Sequence, residues 1–427
     1  MEKILLKNVI IADGTSEKTA DIFIADGIIK EIGAGLDFAA DRFVEGGGKI
    51  AVMPTLFDMH VHFRDPGQTH KEDVLTGCAA ALAGGVGGVV CMPNTIPPID
   101  SRETIEYILE KAKNTGVAVY PAACITKGMK GTELYDWESL GVKIISDDGR
   151  PVENAELMRQ ALERSNENGL LVASHCEDLH IINGGIMNKG EISEKLGVKG
   201  MDRASEDSIT AREIALADSC SSRNSCGAHI HICHVSTKGS IEIIRDAKRR
   251  GINVTCETCP HYFTYTEEKL LARDADYRMN PPLRTEADRL AVLEGVLDGT
   301  VDCIVTDHAP HAADEKADFL TAPNGVVGLE TSLAVTLTQL YHTGKISLNK
   351  IVQLMAVNPR KLLGIDIPKI EVGAKANIAV VDLEREWTVV PEELHSKSHN
   401  TVFKGERLKG RNIMTVTDGV IQWTIDS

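Results

Sequence analysis

The stretch "FDMHVHFRDPG", residues 57 to 67, decides how this chain is read. It begins apolar and closes on Pro66-Gly67, a turn signal; between them His60, His62 and Arg64 recur at every second position. In a β-strand, residues i, i+2 and i+4 share one face. The three side chains therefore converge on one small volume at the end of a strand. Either that volume holds a metal ion or the run is a solvated polar edge.

Working outward, the middle of the chain alternates between two kinds of segment. Strand-like runs include "GGVGGVVCMPN", "VAVYPAACI", "VKIIS", "LLVASHCE", "HIHICHVS", "INVTCET" and "VDCIVTD". Helical stretches such as "NAELMRQALERSNENG" and "GSIEIIRDAKRRG" separate many of them. Apolar strands alternating with amphipathic helices imply a parallel α/β fold. With the "FDMHVHF" strand included there are about eight such units, which predicts a TIM-type (β/α)8 barrel.

The two ends of the chain differ from its middle. "ADIFIADGIIKEIG" joins two apolar runs through Asp26-Gly27, and "IMTVTDGVIQW" turns at Asp418-Gly419. Asp-Gly between apolar runs is a strong hairpin signal. The simplest arrangement is one small β-sandwich domain built from both termini, residues 1–52 and 366–427, around a barrel over 53–365.

The chain has 427 residues, 43% hydrophobic and 25% charged, the profile of a soluble globular protein. No signal peptide is read in "MEKILLKNVIIADG", which Lys3 and Lys7 interrupt, and no run approaches the ~18 apolar residues of a membrane span. A net charge of −16 argues against a nucleic-acid partner but not against a small anionic substrate, because local cations set a pocket's field. The ten cysteines sit mostly in apolar runs and read as reduced, buried thiols of a cytosolic protein. Cys256 and Cys259 of "CETC" have zinc-like spacing but no second pair to complete a site, so they read as core.

In such a barrel, function lies at the C-terminal strand ends. The apolar runs end in His60, His62 and Arg64; in Asn94; in Asp147 and Asp148; in His175; in His234; and in Asp307, with His308 and His311 after it. A lone histidine of this kind is usually structural. Four histidines and two aspartates at strand ends of one barrel match the ligand chemistry of divalent zinc. A carboxylate can bridge two ions where a neutral imidazole cannot, and two ions share a hydroxide that is nucleophilic at neutral pH. Of "HIHICH", His234 directly precedes a polar loop and is preferred over His229 and His231. His261 is expected to orient a ligand; His70, His180, His342 and His395 are expected on the surface or in loops.

"HVHFRDPG", "CMPNT", "SDDGRPV", "SHCED", "CHVST", "MNPPLR", "TDHAPH" and "SKSHNTVFKG" together resemble the dihydroorotases of the amidohydrolase superfamily, in the bacterial type I branch. The resemblance spans essentially the whole chain. It implies that His60 and His62 bind a first metal, that His175 and His234 bind a second, and that Asp148 bridges them. Asp307 would bind the first metal and act as general acid/base. Arg64, Asn94 and His311 would hold a substrate carboxylate, with Asn280 and backbone near Pro323 and Gly325 as further contacts. Arg64 suits that role independently, since its planar donor fork matches a carboxylate. Many cyclic amidohydrolases bridge through a carboxylated lysine, and Lys143 in "GVKIISDDG" is the alternative to Asp148.

The implied reaction is the reversible cyclisation of N-carbamoyl-L-aspartate to L-dihydroorotate with loss of water, in pyrimidine synthesis. It would use a metal-bridging hydroxide and one or two Zn2+ ions per subunit. The family reading also implies a cytoplasmic homodimer and possible association with aspartate carbamoyltransferase. The alternatives are a hydantoinase, dihydropyrimidinase or allantoinase, or a non-catalytic scaffold that resembles the family.

Overall fold

A computed structural model of the chain describes residues 1–220 and 227–425. Five strands come first: β1 (Ile4–Ala12), β2 (Glu17–Ala25), β3 (Ile28–Gly33), β4 (Arg42–Glu45) and β5 (Ile50–Pro54). Then come β6 (Leu56–Val61), β7 (Val86–Cys91), β8 (Ala118–Pro121), β9 (Ile144–Ile145) and β10 (Leu171–Ser174). A small pair, β11 (Met187–Asn188) and β12 (Gly200–Met201), precedes β13 (Ile230–Ile232), β14 (Val254–Thr258) and β15 (Cys303–Ile304). The chain ends in β16 (Ile378–Thr388), β17 (Arg407–Thr417) and β18 (Val420–Thr424).

The barrel closes through backbone pairing alone. Strands β6, β7 and β8 pair in parallel, as do β9, β10, β13, β14 and β15. Two single bridges join these arcs, Ala123 with Ile145 and Val61 with His308. The second seals the ring where the His62 amide donates to the His308 carbonyl at 2.8 Å. Helices between strands follow their sequence signals. In Lys238–Arg249 the Thr237 hydroxyl caps the start by accepting from the Ser240 amide, Ile241, Ile244 and Ala247 turn inward, and Lys248 and Arg249 close the last turn.

The terminal strands form one sheet in the order β18-β17-β16-β5-β1-β2-β3, with β4 pairing beside β1. All eight strands are hydrogen-bonded into a single sheet that bends back on itself. Ile4, Leu6, Ile22 and Ile24 share a buried cluster with Ile378, Val380, Met414 and Val416 from its other half. Its two hairpin tips meet: a Cβ on Gly27 would lie 3.1 Å from the Gly419 Cα. Both Asp-Gly turns place both residues at positive φ, 55° and 76° at Asp26-Gly27 and 49° and 77° at Asp418-Gly419. That is the twist a two-residue hairpin requires. The Asp65-Pro66, Ile96-Pro97 and Asn280-Pro281 peptides are cis.

Candidate active site

The predicted metal ligands converge at the C-terminal end of the barrel, with Asp148 at their centre. One Asp148 oxygen, Oδ1, lies 3.4 Å from His60 Nε2, 3.4 Å from His175 Nδ1 and 3.3 Å from His234 Nε2. The other, Oδ2, lies 3.4 Å from His62 Nε2. Two ligand groupings therefore share this carboxylate, His60–His62–Asp148 and Asp148–His175–His234. Asp307 faces the first of them, 3.1 Å from His62 Nε2 and 3.6 Å from His60 Nε2. A third grouping, His60–Cys233–Glu257, uses the opposite nitrogen of His60; burial pushes the Cys233 thiol well up, which keeps it protonated.

Three of the four imidazoles are aimed by an acceptor on their far side. His60 Nδ1 bonds Glu257 Oε1 at 2.6 Å, His62 Nδ1 bonds Asn94 Oδ1 at 2.8 Å, and His175 Nε2 approaches Glu177 Oε2 at 3.3 Å. Each acceptor takes one ring N–H, so the other nitrogen, which faces Asp148, is the one left to bind a metal once it gives up its proton. His231 holds Glu257 in turn, with Nε2 3.1 Å from Oε2. Arg64, His234 and Asp307 have φ of 58°, 30° and 49°. This left-handed backbone costs about 1–3 kcal/mol per residue and recurs where side chains must be turned into a site.

The charges follow from this crowding. Burial opposes a charge on His60, but the Asp148 and Glu257 carboxylates outweigh it and hold the imidazolium well above its usual range. His175 behaves alike: burial is overcome by Asp148 and Glu177, and its pKa is pushed up to about 10. Burial would raise Asp148 and Asp307, yet the surrounding imidazoles hold both below the usual carboxylate range. Such a floor gathers positive charge. Among the described residues His60 Nε2, buried and 3.4 Å from Asp148, makes no well-formed hydrogen bond, and four ring nitrogens around one carboxylate are the donor set of a borderline divalent cation. The residues fit a metal.

The opposite wall is cationic. Arg64 is buried, and burial brings its guanidinium down to about 10. Its terminal nitrogen lies 3.4 Å from His311 Nε2. That nitrogen is 2.9 Å from the Asn324 carbonyl, and Lys71 Nζ is 3.3 Å from His311 Nδ1. Between floor and wall lies a cavity of about 210 Å³ lined by His62, Arg64, Asn94, Asp148, Gly149, His175, His234, Asn280, Asp307, Ala309, His311, Asn324 and Gly325. A cation-gathering floor faces an anion-gathering wall across a space the size of a small polar molecule.

A family model described as dihydro-orotase-like matches residues 48–240. Curated proteins named dihydroorotase match over nearly the full length. That of Geobacter sp. (strain M21) is 48% identical over 94% of each chain, and that of Acetivibrio thermocellus is 46% identical over 93% of each. The chain belongs to the dihydroorotase family. In fold it also resembles the L-hydantoinase (dihydropyrimidinase) of Arthrobacter aurescens, with a TM-score of 0.83 and 23% identity over 99% of this chain and 96% of that one. The dihydropyrimidinase of Brevibacillus agri gives 0.84 and 22% over the same shares. These two likenesses establish the barrel with its separate sheet domain.

Within this dihydroorotase-family site, most of the expected residues meet. His60, His62, Asp148, His175, His234 and Asp307 come together, and Arg64, Asn94, Asn280, His311 and Gly325 line the cavity with them. Pro323 does not line it. Its carbonyl instead accepts from Lys316 Nζ at 3.0 Å, because the loop turns its next residue, Asn324, toward the site. Lys143 is exposed at the start of β9, at the far end from Asp148. Asp147 points away and accepts from the Thr126 hydroxyl and amide. His261 is buried, but among the described residues its Nε2 has no hydrogen-bond partner; orienting falls to Glu257, Asn94 and Glu177. Cys256 and Cys259 are buried and, among the described residues, take part in none of the metal groupings.

The reading from sequence overlooked Glu257, Glu177 and Asn324. Glu257 sits inside the "CETC" run, between the two cysteines. An ionisable residue on the inward face of a barrel strand was its signal.

Proposed function

We propose that the chain is a dihydroorotase that interconverts N-carbamoyl-L-aspartate and L-dihydroorotate within pyrimidine synthesis. The observation that carries this reading is the pairing, across one cavity, of the Asp148-centred floor with the Arg64–His311 wall. A neutral cyclic amide needs the floor alone; a ring bearing a carboxylate needs the wall as well.

Zn2+ is the metal that four imidazoles and two carboxylates best suit; His60, His62, Asp148 and Asp307 would hold one ion and Asp148, His175 and His234 a second. When bound, such ions supply Lewis acidity, polarising a carbonyl and making water nucleophilic near neutral pH. The chain's own groups do the rest. Arg64, Asn94 and His311 grip the substrate carboxylate, which turns the ring amide toward the floor. The Asn94 oxygen is committed to His62, so its amide nitrogen is the end available to substrate. Asn280 donates to Glu177 Oε1 at 2.9 Å, which leaves its oxygen to accept a ring N–H. Asp307 takes the proton of the attacking water and returns it to the departing ring nitrogen; in the cyclising direction it does the reverse.

Residues 53–365 form the catalytic unit in this reading, and 1–52 with 366–427 its β companion. The enzyme acts in the cytoplasm as a homodimer, alone or joined to aspartate carbamoyltransferase. Among the described residues no helix is long and apolar enough to cross a membrane. The test is ring opening by zinc-loaded protein, offered L-dihydroorotate, hydantoin, dihydrouracil and allantoin in parallel. Turnover of dihydroorotate alone is expected; preference for a neutral ring would overturn the assignment.

A further inference from the structure

His311 is held from two sides by groups whose shortest contacts favour one protonation state. On the Nδ1 side stands the Lys71 ammonium, 3.3 Å away; an ammonium has hydrogens and no lone pair, so Nδ1 must accept. On the Nε2 side stands the Asn324 carbonyl, 2.9 Å away; a carbonyl only accepts, so Nε2 must carry the hydrogen. The two contacts agree on the neutral Nε2–H tautomer; the Arg64 terminal nitrogen, which can only donate, lies farther from Nε2 at 3.4 Å, so the 2.9 Å carbonyl contact decides. Lys71 is itself fixed. It is buried, its Nζ is 3.0 Å from Glu315 Oε1, and its carbonyl accepts from the Ser398 hydroxyl at 2.6 Å.

The backbone around the ring leaves it no freedom. The His311 amide donates to Asn400 Oδ1 at 3.1 Å, and Asn400 Nδ2 donates to the Gly325 carbonyl at 2.9 Å. Gly325 has φ of +147°, and a Cβ there would come within 2.9 Å of the His311 ring. The charged groups facing the imidazole are Arg64, Lys71 and Lys316, against Glu315, whose Oε2 is 3.7 Å from Nδ1. Burial first, and then these three cations, bring His311 down to about 2, so it is neutral throughout the working range.

We propose that Lys71 is a positioning residue for substrate recognition: it locks His311 in the Nε2–H tautomer, so that this N–H and the Arg64 guanidinium present donors to one substrate carboxylate. The Asn324 carbonyl holds the N–H until the carboxylate arrives. This inference rests on the reading that Arg64 and His311 bind that carboxylate.

The test is Lys71→Met in the full-length, zinc-loaded enzyme, with Lys71→Arg and His311→Ala beside it. Without the ammonium, Nδ1 can hold the hydrogen toward Glu315, and the ring then offers Nε2 as a lone pair to an anion. Lys71→Met is expected to raise KM for dihydroorotate about tenfold at pH 8 and to change kcat less than threefold. Lys71→Arg should restore KM at pH 8. An equal loss in kcat, or a raised KM that Lys71→Arg does not restore, would overturn the proposal by showing simple structural damage. An unchanged KM in Lys71→Met beside a raised one in His311→Ala overturns the Lys71 role alone; an unchanged KM in both overturns the carboxylate reading as well. Nitrogen-15 shifts of the His311 ring in unmodified enzyme give an independent check that needs no variant. They should show Nδ1 bare and Nε2 protonated, and the opposite pattern would sink the idea.

Discussion

His60 and His311 stand on opposite sides of the active site. Both are buried, and burial alone would make both neutral. Charge separates them. The floor surrounds His60 with Asp148 and Glu257 and draws positive charge in, while the wall surrounds His311 with Arg64, Lys71 and Lys316 and keeps protons out. The same side chain is a cation-ready ligand in one place and a neutral donor in the other. The difference teaches that the substrate's two ends are recognised by fields of opposite sign, set by residues behind the histidines.

The floor is the more sensitive side, and Asp307→Asn breaks it most. Turnover of dihydroorotate is expected to fall about a thousandfold or more, since general acid/base catalysis contributes that order of rate. Binding of dihydroorotate, measured by calorimetry, should stay within a few-fold. Near-normal turnover would remove Asp307 from the proton-transfer role.

Glu257→Gln probes the tie behind the floor. The amide still accepts from His60 Nδ1 but lacks the charge, so zinc affinity measured against a competing chelator should drop about 10–100-fold. Unchanged affinity would mean that Glu257 serves only to pack the barrel.

The smallest expected effect is in pH. The His175 pKa is raised to about 10 in the folded, metal-free protein, against about 6.5 for an unperturbed histidine. The folded state then binds more protons than the unfolded one between these values, so stability falls with rising pH there. The contribution is complete below about 6.5 and lost as pH rises through about 10. The chelator-treated protein should melt a few degrees lower at pH 9.5 than at pH 6.5, and His175→Ala should show a smaller drop. Zinc affinity should move the other way, rising over this window as fewer protons need displacing. If His175→Ala keeps the whole drop, His175 is not the group responsible.

Much of the floor was legible because it is built by strand period and strand ends. His60, His62 and Arg64 could be grouped by period 2, and Asp148, His175, His234 and Asp307 each end an apolar run. The wall was less legible. Lys71, Asn324 and Asn400 sit on loops, where no periodicity fixes which way a side chain points. Pro323 illustrates this: the loop turns the next residue, Asn324, inward and leaves the Pro323 carbonyl to Lys316. How the terminal sheet bends was likewise not legible, since hairpin signals reveal turns but not how a sheet bends.

By itself the sequence determined the alternating barrel, the hairpins at Asp26-Gly27 and Asp418-Gly419, and the set of groups at the strand ends. These are local matters, fixed by side-chain period and by the backbone conformations that Asp-Gly allows. Only the tertiary structure decided that Glu257 aims His60 across 197 residues of chain, that Asp148 rather than Lys143 stands at the centre, and that Lys71 backs His311. Those choices depend on ring closure, which brings strand ends far apart in sequence within hydrogen-bond reach. Hydrogen bonds and charge act over a few ångströms of space, whatever the length of chain between the partners.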